Sequence, residues 1–287
     1  MRWWRAPRWA AAGVLALAAG ALAPIAAGQG PPPGGSEPFP DALPPDTALT
    51  GEQIYDRVIA NRFRSYIQDV SLLSSDRGGS EQETRLTLTW ENFRQKAGSD
   101  GVLSKTVVRY THPFEVRFSG YLIINNRDRV NDQFLYLASR RRIRRVNLRG
   151  ENLFGTDFSF EDVVPRELED STYRRLPDQV IQGVATYVVE ATPRFSVDSE
   201  YSRFVLHVEK EHFVPLENHY WDTAGVEVKR LRAERESIRD YGGVWMPLRA
   251  SMQHLLHESE TRLVVERVVP NPDLPPTTID IRRLESH

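Results

Sequence analysis

The sequence predicts a mainly β protein with few helices, in which one large antiparallel sheet curls into an incomplete barrel. Apolar and polar residues alternate with a period of two over most of the chain after residue 66, as in strands with one buried face. Pairs of turn-forming residues, mostly glycine or asparagine, separate these stretches, which predicts hairpins. No alternation of strands with helices is visible, so a parallel nucleotide-binding sheet is not supported.

The chain begins with a segment typical of an export signal. Three arginines within the first nine residues precede the uncharged run Ala10–Ala27, and small residues follow it, as at a signal cleavage site. The alternative is a retained membrane anchor, since about 18 apolar residues approach the length of a span. The run is mostly Ala and Gly and contains Pro24, which favours cleavage. We expect residues 1–28 to be a signal peptide, with Gly28 the last residue removed.

A proline-rich linker and one helix come before the strands. Residues 29–47 carry seven prolines, a composition typical of a disordered or polyproline-like tether. Thr50 and Gln53 match the capping-box pattern, and apolar residues then recur at helical spacing. The sequence therefore predicts a helix over Gly51–Asn61, at the start of a half-barrel domain that spans residues 48–287.

Roughly ten to twelve strands are predicted between Tyr66 and Val269. The clearest alternating segments are 84–90, 114–119, 203–209, 244–253 and 262–266. The predicted hairpin turns are Gly78-Gly79, Ser99-Asp100-Gly101, Asn125-Asn126, Ala224-Gly225 and Gly242-Gly243. A twisted sheet of about ten strands cannot stay flat and bury one face unaided. The available cover is the predicted helix, a loop around residues 153–164 and a terminal turn near residues 279–284. A concave apolar surface is left, and such a surface can hold an acyl chain.

Composition argues against several classes of function. The 37 basic and 39 acidic residues give a formal net charge of −2, whereas nucleic-acid binders carry a clear basic excess. The chain has no cysteine, which excludes disulfides, thiolate metal sites and a cysteine nucleophile. No HExxH motif, GxSxG elbow or glycine-rich phosphate loop occurs. His207, His212 and His219 could meet across a hairpin, but polar positions on a strand explain them more simply. We expect no enzyme activity, metal, cofactor or nucleic-acid partner.

A run of arginines between residues 139 and 149 allows two interpretations. It could dock on anionic lipid or on an acidic partner. It could also be a plain hairpin, with strands at Phe134–Leu137 and Ile143–Leu148 and the arginines facing outward. Both can hold together. The docking candidates are Arg141, Arg142, Arg144 and Arg145.

The segment Leu153–Asp162, called the phenylalanine segment below, also has two interpretations. Its three phenylalanines, Phe154, Phe158 and Phe160, fit neither a strand nor a helix well. They could gate the concave surface as a lid, or fill it permanently as core. We favour permanent core, because lids are usually more polar. Asp157 is expected to cap the following turn or to pair with one of the arginines.

Five side chains on the apolar faces of predicted strands are candidates for the wall of the acyl-binding surface. Ordinary core packing is the alternative for each of them. The five are Leu86, Leu88, Trp90, Phe118 and Leu206.

Two stretches of the sequence resemble the LolA-like outer membrane lipoprotein-sorting protein family. They are the segment from Gln133-Phe134-Leu135-Tyr136-Leu137 through Arg144-Arg145-Val146, and the segment Phe154-Gly155-Thr156-Asp157-Phe158-Ser159-Phe160-Glu161-Asp162. Residues 187–191 and 244–247 follow the same pattern, and the similarity runs from about Gly51 to the C-terminus.

The resemblance implies an incomplete antiparallel barrel around helices, in the periplasm of a Gram-negative bacterium. It also implies that the protein carries the acyl chains of a lipoprotein or a lipid between the inner and outer membranes. Longer members of this type are often associated with RND-superfamily exporters, which implies an inner-membrane partner. A lipid-binding sensor, or an exporter subunit without a ligand, remains the alternative.

Overall fold

The computed structural model describes residues 48–285, apart from residues 95, 97, 98, 100, 148, 149 and 196–198. The expected signal peptide (1–28) and linker (29–47) lie outside the described residues. The helices are α1 (Gly51–Ala60) and α2 (Phe160–Val163). The strands are β1 (Ser65–Ser75), β2 (Glu81–Asn92), β3 (Val102–His112), β4 (Gly120–Asn126), β5 (Asp132–Leu137), β6 (Arg142–Arg145), β7 (Ser171–Ile181), β8 (Val184–Pro193), β9 (Tyr201–Glu209), β10 (Pro215–Asp222), β11 (Glu227–Ala233), β12 (Ile238–Asp240), β13 (Trp245–Pro247), β14 (Arg249–His254) and β15 (Ser259–Pro270).

Within the described residues, thirteen strands form one antiparallel sheet in the order β6-β5-β4-β3-β2-β1-β15-β14-β11-β10-β9-β8-β7. Strands β1 to β6 form one meander, and β7 to β11 with β14 and β15 form the other. The two meanders join where β1 pairs with β15, from Tyr66 opposite Pro270 to Ser75 opposite Glu260. Strands β6 and β7 remain as free edges, so the sheet is open and the predicted fold class is confirmed.

Helix α1 begins and ends almost where the sequence predicts. The Thr50 hydroxyl accepts a hydrogen bond from the Gln53 backbone N–H, and the Gln53 side chain accepts one from the Thr50 N–H, so both halves of the capping box form. The helix buries Ile54 and Tyr55. It lies close to β7, because a Cβ on Gly51 would come within 2.9 Å of the Arg174 backbone.

The main core lies on one face of the sheet, called the inner face below. Alternate residues of a strand point to the same face of the sheet. Leu86, Leu88 and Trp90 of β2 are therefore buried in the same cluster as Val108 and Tyr110 of β3. Helix α1 and the phenylalanine segment pack against this face. Burial of this apolar surface is the main stabilising contribution to the fold.

A second core lies on the opposite, outer face of β3, β4 and β5. Val107, Leu122 and Tyr136 point to that face, where the C-terminal residues Leu274, Ile279 and Leu284 cover them. The Arg109 guanidinium donates hydrogen bonds to the Arg283 and Leu284 carbonyls, which holds the terminal turn in place. The predicted terminal turn therefore exists, but it covers the outer face rather than the concave one.

The structure corrects three of the sequence expectations for strands. Residues 113–118 form a turn between β3 and β4, so the predicted strand over 114–119 is wrong. The stretch 244–253 is divided between β13 and β14, and β13 pairs with β12 in a separate two-stranded ribbon. The described residues contain more strands than the ten to twelve predicted, because β6, β12 and β13 are only three or four residues long. Such short segments carry almost no periodic signal.

No helix within the described residues has the length and apolar character that crossing a membrane requires.

Candidate functional site: a cavity at one end of the open sheet

A cavity of about 830 Å³ lies beside the connection between β4 and β5. One wall is formed by the ends of β3 to β6, and the other by the chain from α2 to the start of β7. Its volume lies within the range of roughly 300–1,000 Å³ that is typical of small-molecule sites. The lining residues are Leu103, Ile123, Asn125, Asn126, Arg127, Asp128, Arg129, Val130, Asn131, Gln133, Arg145, Val146, Asn147, Phe160, Glu161, Val164, Pro165, Arg166, Glu169 and Asp170.

The floor of the cavity is apolar. Leu103, Ile123 and Phe160 are buried, and Val146 and Val164 pack against the main core beside them. The Phe160 ring meets the Tyr121 ring edge to face, with 4.3 Å between centroids. Phe160 therefore separates the cavity from the filled interior of the inner face.

Two polar atoms in the cavity lining lack hydrogen-bond partners. Asn125 donates to the Ser104 hydroxyl at 2.9 Å, yet its Oδ1 atom is buried with no partner among the described residues. Arg166 contacts the Glu161 carboxylate at 2.8 Å, and its Nη2 atom likewise has no partner among the described residues. A buried polar atom without a partner costs free energy. Because both atoms are buried, a ligand or water reaches them only if a neighbouring side chain moves.

The rim of the cavity carries charges of both signs. Asp132, behind the rim, accepts hydrogen bonds from Arg129 and Arg145, each at 2.6 Å. Burial raises the pKa of Asp170, and the hydrogen bond from Arg94 lowers the pKa of Glu169. Burial lowers the pKa of Arg166, but Glu161, Tyr55 and Tyr220 together raise it by more. The pKa of Arg166 therefore lies above its usual value, and Arg166 stays charged inside the cavity.

Hydrogen bonds fix the phenylalanine segment across the inner face. The Phe154 carbonyl accepts a bond from the Thr84 hydroxyl of β2 at 3.0 Å. Asp157 accepts bonds from the hydroxyls of Ser259 and Thr261 of β15, at 2.5 and 2.8 Å. Asp157 thus binds strand hydroxyls, and the expectation that it caps the next turn or pairs with an arginine is wrong.

The three phenylalanines of this segment differ in burial. Phe158 and Phe160 are 3% and 8% exposed, and Phe154 is half-buried. In this structure the segment therefore fills the concave surface as core. Of the three, Phe160 lines the cavity.

A buried charge network holds the end of the phenylalanine segment. The Asp162 carboxylate lies 3.1 Å from the Lys229 ammonium and accepts a hydrogen bond from the Tyr201 hydroxyl at 2.8 Å. Glu161 accepts bonds from the Ser199 hydroxyl at 2.5 Å and the Glu200 N–H at 2.8 Å. These bonds join α2 to β9 and β11, on the far half of the sheet from β4.

Four of the five predicted wall residues are buried core. Leu86, Leu88, Trp90 and Leu206 belong to the filled core of the inner face and lie outside the cavity lining. Phe118 is 44% exposed and sits in the turn before β4 with φ +67°, so its predicted place on a strand's apolar face is wrong. The apolar residues at 114, 116 and 118 predicted a strand with one buried face. In the structure they lie on a turn, and of the three only Val116 packs against the core.

The arginine run forms a hairpin at the edge of the sheet. Strands β5 and β6 pair from Phe134 opposite Arg145 to Leu137 opposite Arg142, as the hairpin interpretation predicts, although residues 148 and 149 lie outside the described part. Among the docking candidates, Arg145 reaches the cavity rim, while Arg141, Arg142 and Arg144 are exposed.

The three histidines His207, His212 and His219 lie outside the cavity lining. His207 and His219 approach each other across β9 and β10 with 5.2 Å between ring centroids, and His212 stacks on Trp245. The His207 ring contacts the Gln179 side chain at 3.1 Å and the Glu217 carbonyl at 3.3 Å. The sequence interpretation of polar positions on a strand holds for His219 alone, because His207 is buried on β9 and His212 lies in the turn between β9 and β10.

Most residues of the cavity lining could not be predicted from the sequence. Residues 163–170 supply five of its lining side chains after a helix of one turn, and the β4–β5 loop supplies several more. Neither stretch has a periodic pattern. The one available signal was the proximity in sequence of residues 163–170 to the phenylalanine segment.

Comparisons with known proteins agree with this architecture. A family model described as an uncharacterized protein matches residues 103–286, which is more than half of the chain, and the model of DUF1329, a protein of unknown function, matches residues 28–148. None of the curated proteins matches the chain.

Solved structures show the same fold. An outer membrane lipoprotein-sorting protein domain from Vibrio parahaemolyticus has a TM-score of 0.73 at 19% identity, over 82% of this chain and 98% of that one. A DUF1329 family protein from Desulfovibrio piger has a TM-score of 0.74 at 18% identity, over the same shares. A LolA superfamily protein from Nitrosomonas europaea has a TM-score of 0.64 at 20% identity, over 82% of this chain and 99% of that one. The chain therefore belongs to the family whose model spans residues 103–286, and it has the LolA-like fold of these solved structures.

Proposed function

We propose that this protein is a periplasmic, non-catalytic carrier that binds an acyl chain of a lipoprotein or lipid and moves it between the inner and outer membranes. One observation carries the proposal, namely the cavity of about 830 Å³ with an apolar floor and a polar rim. A fold shared with a lipoprotein-sorting domain supports the same function. The expected export signal supports the periplasmic location.

The cavity suits reversible binding of an amphiphile. Burial of each CH₂ group is worth about 0.8 kcal/mol, so a chain of about 14 to 16 carbons offers more than 10 kcal/mol in principle. A cavity that is open on one side captures only part of this, which allows release. Leu103, Ile123 and Phe160 supply the first apolar contacts, and the polar and charged residues of the rim meet the polar end of the ligand.

The predicted wall residues Leu86, Leu88, Trp90 and Leu206 contact the chain only if it enters deeper. Phe160 stands between the cavity and that interior, and Phe154 and Phe158 lie beyond it. Their role as ligand contacts therefore requires the phenylalanine segment to move. We propose the cavity floor as the primary contact and the interior as an extension of it.

A fluorescent fatty acid titrated into delipidated protein tests the proposal. The Val164→Trp variant places an indole in the cavity and should weaken binding at least tenfold. The control is Val180→Trp, since Val180 is 46% exposed on β7 and lies outside the cavity lining. No binding by the wild type, or equal binding by the Val164→Trp variant, would refute the carrier proposal.

Mass spectrometry of the native protein separates a carrier from an exporter subunit without a ligand. A carrier should copurify with lipid or acylated peptide, and the Val164→Trp variant should lose it. Depletion of the protein should then leave cargo at the inner membrane, whereas depletion of a sensor should not. An inner-membrane RND-superfamily exporter is the proposed partner for cargo release or uptake.

A further inference from the structure

The turn between β3 and β4 exposes two phenyl rings. Phe114 is 84% exposed and Phe118 is 44% exposed. Single exposed apolar residues are common on protein surfaces. Here one turn presents two exposed phenylalanines within five residues, and a concentration of exposed apolar surface marks interaction sites.

Backbone hydrogen bonds make this turn a fixed projection. The Phe118 N–H donates to the Tyr110 carbonyl at 2.9 Å, and the Ser119 N–H donates to the Val116 carbonyl at 2.8 Å. Val116 anchors the turn because its side chain packs against the main core. Phe118 keeps a left-handed backbone with φ +67°, which is rare for a bulky residue and costs free energy.

A cluster of arginines lies directly beside the aromatic turn. The Ala138 N–H donates to the Ser119 hydroxyl at 3.1 Å, which fastens the β5–β6 connection to the β3–β4 turn. That connection exposes three consecutive arginines, 140–142, and the turn itself adds Arg117, whose guanidinium lies 4.6 Å from the centre of the Phe118 ring. The turn's own acidic residue is Glu115. Residues 113–119 and 138–142 together are called the docking tip below.

The arginines of the docking tip are available to an external anion. None of Arg117 and residues 140–142 forms an ion pair with a carboxylate of the described chain. Arginines elsewhere in the structure commonly do so, as Arg267 does with Asp69 at 2.7 Å. The tip therefore combines an apolar projection with excess positive charge.

We propose that the docking tip binds the surface of an anionic phospholipid membrane. Phenyl rings partition into the interfacial region of a bilayer, and arginines bind lipid phosphates there. An acidic protein could pair with the arginines, but two projecting phenyl rings then need matching pockets. A lipid surface accepts them without a preformed shape. The inference goes beyond the carrier function and does not depend on an occupied cavity.

The docking tip and the cavity lie at opposite ends of the same strands. Strand β4 runs from Gly120 at the tip to Asn126 at the cavity, a distance of about 20 Å for a strand of this length. Membrane docking and acyl binding are therefore separable. Changes at the tip should leave fatty-acid affinity unchanged.

Sedimentation with vesicles tests the proposal. The probes are vesicles of phosphatidylglycerol and phosphatidylcholine in equal parts, and vesicles of phosphatidylcholine alone. The wild type should bind the anionic vesicles, and added salt should weaken this binding. Each arginine near an anionic surface contributes a factor of about five in affinity. The Arg141→Glu/Arg142→Glu variant should therefore bind anionic vesicles at least about 25-fold more weakly.

Matched variants separate the tip from general surface effects. Phe114→Ala should weaken vesicle binding several-fold, whereas Phe195→Ala should not, since Phe195 is fully exposed on the β8–β9 connection near the other sheet edge. Arg235→Glu/Arg239→Glu, at exposed positions on the β11–β12 side, controls for net charge. Absence of wild-type binding to anionic vesicles would overturn the proposal, as would equal losses for tip and control variants.

Discussion

The Lys229 ammonium lies 3.1 Å from the Asp162 carboxylate, and the two side chains are only 4% and 1% exposed. Asp162 stands in α2, at the end of the phenylalanine segment, and Lys229 stands on β11. Asp162 also accepts a hydrogen bond from the Ser159 N–H at 2.8 Å. One buried ion pair thus secures the chain that divides the filled interior from the cavity.

The first prediction concerns this ion pair. Lys229→Met leaves the Asp162 charge buried without its partner and should lower the free energy of unfolding by about 3–5 kcal/mol. Urea denaturation measures the loss, and the double variant Lys229→Met/Asp162→Asn should recover part of it. The control is Arg267→Ala, which breaks an exposed pair and should cost less than about 1 kcal/mol. Similar small losses in both variants would contradict the structural role of Lys229.

The second prediction compares two phenylalanines. Phe158→Ala opens a cavity in the main core, because Phe158 is 3% exposed, and should destabilise the protein by about 3–5 kcal/mol. Phe114→Ala removes an exposed ring and should change stability by no more than about 0.5 kcal/mol. Thermal or urea unfolding of the two variants provides the measurement. If Phe158→Ala were as mild as Phe114→Ala, the phenylalanine segment would be a loosely held lid rather than core.

The third prediction is a pH dependence from His207. Burial, with a smaller contribution from the charge of His219, lowers the pKa of His207 to about 4. Unfolded histidine titrates near 6.5, so between these values the unfolded chain binds a proton that the native protein does not. Stability should therefore fall as the pH is lowered from about 6.5 to 4, by up to about 3 kcal/mol from this group.

The variant His207→Gln should remove that part of the pH dependence. The measurement is urea unfolding at pH 7.5 and pH 4.5 for the wild type, His207→Gln and His112→Gln. His112 is exposed, so the His112→Gln protein should keep the wild-type dependence. An unchanged difference between the two pH values in His207→Gln would contradict the assignment.

The fourth prediction concerns the C-terminal cover of the outer face. Leu284 is fully buried against the patch that contains Leu122 and Tyr136. Leu284→Ala should cost about 2–5 kcal/mol. Leu256→Ala serves as the control, because Leu256 is 60% exposed and should cost no more than about 0.5 kcal/mol. A negligible loss for Leu284→Ala would show that the C-terminal turn does not stabilise the sheet.

Local patterns were enough to predict much of the fold. The capping box at Thr50 and Gln53 and the alternation at residues 84–90 depend on neighbours in sequence, so a helix and a strand could be predicted at these positions. The hairpin at the arginine run was one of the two interpretations that the sequence allowed. A capped helix end and a strand with one apolar face form in the same way whatever part of the protein they pack against, so their prediction does not require the tertiary structure.

The location of the cavity was decided by tertiary packing alone. Leu88 and Ile123 are both apolar strand residues, yet the main core covers Leu88, while Ile123 lies at the cavity floor. Long-range contacts decide which part of the inner face the phenylalanine segment fills. Examples are the hydrogen bond from Thr261 to Asp157 and the ion pair between Asp162 and Lys229. The periodicity of a strand records that a side chain is buried, but it does not record whether protein atoms or a ligand cover it, because both remove the same apolar area from water.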